Sequence, residues 1–204
     1  MRYHRQGATM HDASEKKPVE TSGKPRRPGF LRHFVKDAKG SVAIEFTALA
    51  IPFAMLVFAI LESCISFAAQ QLMSSITDDV ARQFRTGQIQ IADVEADKNL
   101  VRNKICDRLE IVVSDGCPGL EIDLRSFNTF AQAAQQRIAF TKDNDIDTKG
   151  FKIDPGKALS KNQLRVFYRW PVMTDFLRKS MSNLKDGKTL HYATVTWQNE
   201  PFEE

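Results

Sequence analysis

The feature that most limits the fold is an apolar run near the N-terminus, Val42 to Leu61, whose one charge is Glu45. About 20 such residues cross a bilayer core as a helix. The run reaches that length only with Glu45 counted inside it. Counted from Phe46 it yields sixteen residues, which make about 24 Å of helix against a hydrocarbon thickness of roughly 30 Å. A spanning helix therefore holds its carboxylate at membrane depth or relies on local thinning and its flanks. A carboxylate at that depth is costly and is retained where something answers it.

The flanks set a direction. Arg26, Arg27, Arg32, Lys36 and Lys39 precede the run, and the next base after it is Arg82. By the positive-inside rule the N-terminus is cytoplasmic and the chain beyond residue 68 or so is exported. The net charge of +4 conceals this asymmetry: residues 1–40 hold ten bases against four acids, and the remainder nineteen against twenty-one. The leader 1–40, basic and carrying Pro and Gly, cannot bury apolar surface and is expected to be disordered. It has no interleaved aromatics and abuts a membrane-length run, which argues against nucleic acid as its partner and for the lipid bilayer. A secretory signal peptide fits poorly, because its apolar region is shorter and free of acid. A lipoprotein box at Leu61 to Cys64 fails on Glu62, where a small residue belongs. Cys64 is then expected to be a buried apolar residue of the helix.

Past Glu62 the pattern stays helical: Ala68, Leu72, Ile76, Val80 and Phe84 recur every four residues, and the helix is expected to end near Gly87. Pro52, inside the helix, lacks a donor and crowds the preceding turn, so a kink or loosened turn is expected there. A second helix is expected over Val94, Val101, Ile105 and Leu109, capped at Asp93. Ser114 to Gly119 is a cluster of turn formers. Cys106 and Cys117 bracket that turn, and an exported location permits a disulfide worth roughly 3 kcal/mol, with free thiols as the alternative. Strands are expected over Leu120–Phe127, Leu164–Trp170 and Leu190–Trp197, and the clean alternation of the first predicts one face buried and one solvated. The polar stretch Thr141 to Gly150 reads as an exposed loop, Met173 to Leu184 as a short helix, and Lys185 to Lys188 as a turn. The expected fold class is α+β: a long N-terminal transmembrane and stalk helix with a small antiparallel sheet packed on helices in the exported domain. The expected divisions are a leader at 1–40, a transmembrane helix at 41–68 and an exported domain at 69–204.

Nothing in the sequence assembles a catalytic site, and no enzyme activity or cofactor is expected. Of four histidines, His4, His11 and His33 precede the helix, which leaves His191 alone outside. One histidine is too few for a histidine metal cage or a persuasive triad. Asp143, Asp145 and Asp147 alternate as in a calcium loop, but the glycine and the distal glutamate fall at the wrong places, so no metal site is expected.

The segment Asp37-Ala-Lys-Gly40-Ser41-Val-Ala-Ile-Glu45-Phe46, followed by an apolar helix containing Pro52 and then Glu62, resembles the N-terminus of TadE-like pseudopilins. Cys106 and Cys117, Arg165 to Pro171, and Ala193 to Phe202 are similar to later parts of such proteins. The resemblance implies that a prepilin peptidase cuts between Gly40 and Ser41. Glu45, with Phe46 beside it, would then be the fifth residue of the mature chain and would pair with the new α-amine, within the chain or between subunits. It also implies a structural or assembly role in a tight-adherence (Flp-type) pilus or related secretion apparatus at the bacterial inner membrane. The exported domain would be periplasmic, and the partners would be other pilin or pseudopilin subunits and pilus assembly proteins. Loosening at Pro52 would help the subunit leave the bilayer. The competing expectation is an uncleaved single-pass binding or sensor module.

Overall fold

A computed structural model of the chain describes residues 38–203. Most of the expected leader lies outside these residues. The chain divides into two compact units at Leu49 and Ala50. Helix α1 (Ala38–Arg85) supplies the described part of the first unit and opens the second.

In the first unit Val42, Ile44, Phe46 and Leu49 are exposed around the helix. In the second unit, the α1 residues Phe53, Leu56, Phe58 and Leu61 are likewise exposed. A helix apolar on every side suits lipid, and from Val42 onward α1 is long and apolar enough to cross a membrane. Beyond Glu62 the helix becomes one-sided. Ser66, Ala69, Met73, Ile76, Val80, Ala81 and Phe84 are buried. This stripe differs from the expected one: Ala68 is exposed and Leu72 half-buried. A fixed spacing of four gains about 40° per step on a helix of 3.6 residues per turn, so it drifts off the face that alternating threes and fours retain.

The helix stops with a left-handed Gly87 (φ +72°), the N–H groups of Gly87 and Gln88 returning to the carbonyls of Phe84 and Gln83 at 3.2 and 2.9 Å. This is the Schellman arrangement that satisfies the last carbonyls. The expected second helix is two, α2 (Ile91–Ala96) and α3 (Leu100–Leu109). Asp93 lies in the first turn of α2 and accepts the Gln90 N–H at 2.8 Å, and so is not the cap residue itself. Asp97 accepts the Asn99 N–H at 2.8 Å, a local bond that competes with helical continuation.

The sheet is built from β1 (Leu120–Phe127), β2 (Ile153–Asp154), β3 (Lys161–Pro171) and β4 (Lys188–Gln198), in the order β2-β1-β3-β4. Helix α4 (Phe130–Ala134) follows β1 and helix α5 (Asp175–Met181) follows β3. The expectation of a purely antiparallel sheet needs correction, because the two-residue β2 runs parallel to β1. So short a strand gives no alternation to read.

One face of the sheet packs Leu120, Leu124, Leu164, Val166, Ala193 and Trp197 with the buried stripe of α1 and with Val101, Ile105 and Leu109 of α3. The opposite face, expected to be solvated, is covered. Ile146 and Leu184 close over Phe167, and Phe151 and Tyr192 stack on its ring with centroids 5.2 and 5.1 Å away. The stretch Thr141–Gly150 is thus a cover held by a few anchors. Burial alone would raise the Asp145 carboxyl, but hydrogen bonding from Arg169 at 2.9 Å and from the Ile146 N–H, with the charges of Arg169 and Lys185, holds it below its usual range.

Beneath this cover lies a cross-strand ion pair. Asp123 faces Arg165 in register, and Asp123 Oδ2 accepts Arg165 Nε and Nη2 at 3.1 and 2.5 Å. Asp123 Oδ1 accepts Arg125 Nε and the Lys152 N–H at 2.8 and 3.0 Å. The Arg165 guanidinium lies 5.8 Å from the ring centroids of both Phe151 and Phe167. Asp123 is 1% exposed, so every lone pair lost to water needs these donors. Removing one partner strands a buried charge. Asp123→Ala is therefore expected to lower the unfolding free energy of the detergent-solubilised chain by about 3–5 kcal/mol, and the double change Asp123→Leu with Arg165→Met by distinctly less. Denaturant titration of the three chains checks this ordering.

Candidate functional site

Gly40 and Ser41 lie in the helical backbone at the start of α1. Glu45 and Phe46 follow on its exposed surface, Phe46 at 73%. Pro52 lies inside the helical span of α1. Cys64 is exposed on α1, contrary to the burial expected of it. The buried side of the helix at that level is taken by Ser66, two residues on.

Three polar residues of the second unit, each four positions from the next, bind α1 to the sheet side of the fold. Glu62 is the first. Its Oε1 accepts the Met173 N–H at 2.5 Å, and its Oε2 accepts the Thr174 N–H at 3.2 Å and the Thr174 hydroxyl at 2.5 Å. Thr174 is the cap residue of α5, so a carboxylate on α1 serves the exposed donors at the start of another helix. The negative charge also suits that helix end. Ser66 is the second, its Oγ 3.0 Å from His191 Nε2. The His191 ring stacks on Trp170 at 5.1 Å, and burial pushes its pKa down to about 4, so the ring is neutral near pH 7. Gln70 is the third. Its amide donates to the Tyr192 carbonyl at 2.9 Å and accepts the Tyr192 N–H at 3.2 Å. β4 is an outer strand, and Gln70 thereby occupies the hydrogen-bonding edge that would otherwise be free to pair with another chain.

Of these three, Glu62 is the one the sequence marks, a charge just past the apolar run and within the expected transmembrane helix at 41–68. Gln70 reads as one of the polar residues between the apolar positions of the helix, and Ser66 carries no mark of its own. Their four-residue spacing in line with Glu62 was the available signal, but serine and glutamine on a stalk helix ordinarily face water.

Cys106 and Cys117 are joined by a disulfide, Cα to Cα 5.8 Å. It ties α3 to the turn before β1. Arg102 fixes the same turn, donating to the carbonyls of Gly116, Cys117 and Leu120 at 3.1, 2.8 and 2.8 Å. Glu110 lies close to both sulfurs, but a disulfide spends the thiolates that a metal would require, and Glu110 accepts the Gly116 N–H at 2.7 Å.

A long apolar helix that continues into the core of an α+β fold, with a polar series marking the change, is the arrangement of a membrane-anchored protein. Residues 40–82 match the family described as TadE-like protein, the family that the segment around Gly40 resembles. The match covers most of α1 and none of the sheet. No curated protein and no solved structure matches the chain.

The Glu62 contacts lead to a local test. Replacing Glu62 by Ala leaves two backbone donors without their charged acceptor, a loss of about 1.5–3 kcal/mol. Hydrogen exchange at Met173 and Thr174 is expected to quicken roughly tenfold or more, while the amides of β1 keep their protection. Unchanged exchange at both positions would contradict the contact.

Proposed function

We propose that the chain is a pseudopilin-like structural or assembly component of a tight-adherence pilus or related secretion apparatus, working by association and not by catalysis. In this reading it is anchored in the bacterial inner membrane by α1 with its N-terminus in the cytoplasm and its α+β domain in the periplasm. A prepilin peptidase cuts between Gly40 and Ser41. The observation that carries the reading is the TadE-like match over residues 40–82, which takes in Gly40, Ser41 and Glu45 together.

The chemistry of the cut supports it. Cleavage would create an α-amine at Ser41, charged at neutral pH given an ordinary pKa of about 7.7–8. On the helix that amine lies about 6 Å along the axis from Glu45. At membrane depth an opposite charge offsets much of the cost of a carboxylate, whether it comes from the same chain or from a neighbouring subunit. The disulfide between Cys106 and Cys117 suits an oxidising compartment.

Mass spectrometry of the membrane-extracted protein, from cells with an active prepilin peptidase, is expected to find an N-terminus at Ser41. The same experiment on Glu45→Ala is expected to show normal insertion and processing, with the subunit remaining in membranes and missing from the assembled apparatus. An intact leader in the unaltered protein would overturn the proposal and favour a permanently anchored binding or sensor module.

A further inference from the structure

A cleft of about 600 Å³ opens between α1, the turn after α3 and the end of β3. Phe58, Leu61 and Ile65 form its α1 wall, Val112 and Val113 a second wall, and Trp170 and Met173 a third. Met173 on its wall is 78% exposed, and Phe58, Leu61 and Ile65 are exposed by half or more. Scattered exposed apolar residues are ordinary, but here they come from separate segments and converge at one level. That level is where the all-round apolar surface of α1 ends. Phe58 and Leu61 belong to that surface, and Ile65 lies about 6 Å further along the axis. The cleft is therefore continuous with the lipid-facing side of the helix at the membrane boundary. Of the polar side chains along it, Glu62 and Thr174 are bonded to each other, and Ser114, Tyr168 and Trp170 supply the others.

The size of the cleft selects its occupant. A second helix, about 10 Å across with its side chains, would use the volume in roughly five residues. A single hydrocarbon chain is thin enough to lie along it, and apolar walls with little polar demand suit such a ligand. We propose that the cleft holds one acyl chain of a phospholipid from the surrounding leaflet. A chain lodged there would cover Trp170 and the apolar mouth, and would fasten the α+β domain to the membrane surface. The inference rests on the anchoring part of the function proposed above and is independent of cleavage or pilus assembly.

Two tryptophans make the test direct. Trp170 lines the cleft, whereas Trp197 is buried against Phe84 with ring centroids 6.4 Å apart. The full chain is reconstituted into phosphatidylcholine vesicles with or without bromine on the acyl chains, and tryptophan emission is compared. In Trp197→Phe, whose emission comes from Trp170, brominated lipid is expected to quench at least twofold. In Trp170→Phe, quenching is expected to be slight, and the unaltered chain, which needs no variant, is expected to lie between. Filling the cleft with Val113→Phe in the Trp197→Phe background is expected to restore most of the Trp170 emission. Trp170 unquenched in chains that sediment with the vesicles overturns the inference and leaves anchoring and processing untouched. Quenching that survives the filled cleft also overturns it, since the bromine then lies beside the domain and not inside it. Failure to sediment with vesicles would contradict the anchoring itself.

Discussion

The carboxylate of Glu62, bonded to the start of α5, stands at the position where α1 changes its surroundings. Before it the helix exposes apolar side chains on all sides; after it one stripe is buried, Ile65 and Phe67 are the last large apolar residues exposed on α1, and from Gln70 onward the remaining surface is mostly polar. A single helix here meets two solvents, and the change has to fall where a charged side chain can be satisfied. Glu62 is satisfied by protein, through donors that α5 cannot use itself. Ser66 and Gln70 continue the same series into the sheet, so that α1 is joined to His191 and to the edge of β4 by polar contacts as well as by its apolar stripe.

The sheet is made for that attachment. One face completes the core with α1 and α3, and the other hides Asp123 and Arg165 under Phe151, Ile146 and Leu184. A buried ion pair adds little net stability compared with well-packed apolar groups, but breaking it is costly, and its four donors fix how β1, β3 and the cover meet. The disulfide and Arg102 do the same for the turn before β1. That turn lies next to Val112 and Val113, so the wall of the cleft is held by covalent and polar ties.

Much of this was legible in the residues. The α1 helix, the α+β class and the positions of the three main strands follow from length, period and turn chemistry, and β1 begins and ends where its alternation does. Three things were hidden, each for a physical reason. The four-residue stripe holds at Ile76, Val80 and Phe84 but leaves the buried face at Ala68 and Leu72, because helical periodicity is not an integer. The covered second face was missed because Thr141 to Gly150 is polar, its side chains bonding its own backbone, Arg169 and the Asn183 carbonyl, and shows Ile146 as its one large apolar residue. β2 was invisible because two residues carry no pattern. At the candidate site Glu62 can be picked out as a charge at the end of the apolar run, but its partners lie more than a hundred residues away, and no local rule connects them.

The account depends on α1 passing from lipid to protein surroundings at Glu62. Spin labels placed singly from Val42 to Phe84 in the membrane-reconstituted chain, read for collision with oxygen and with a water-soluble relaxant, test it most directly. Oxygen contact on every side is predicted up to Leu61, and after Glu62 a periodic loss of contact with both relaxants at Ala69, Met73, Ile76 and Val80. Water contact throughout Phe53 to Leu61, or all-round lipid contact continuing past Ile76, would contradict it.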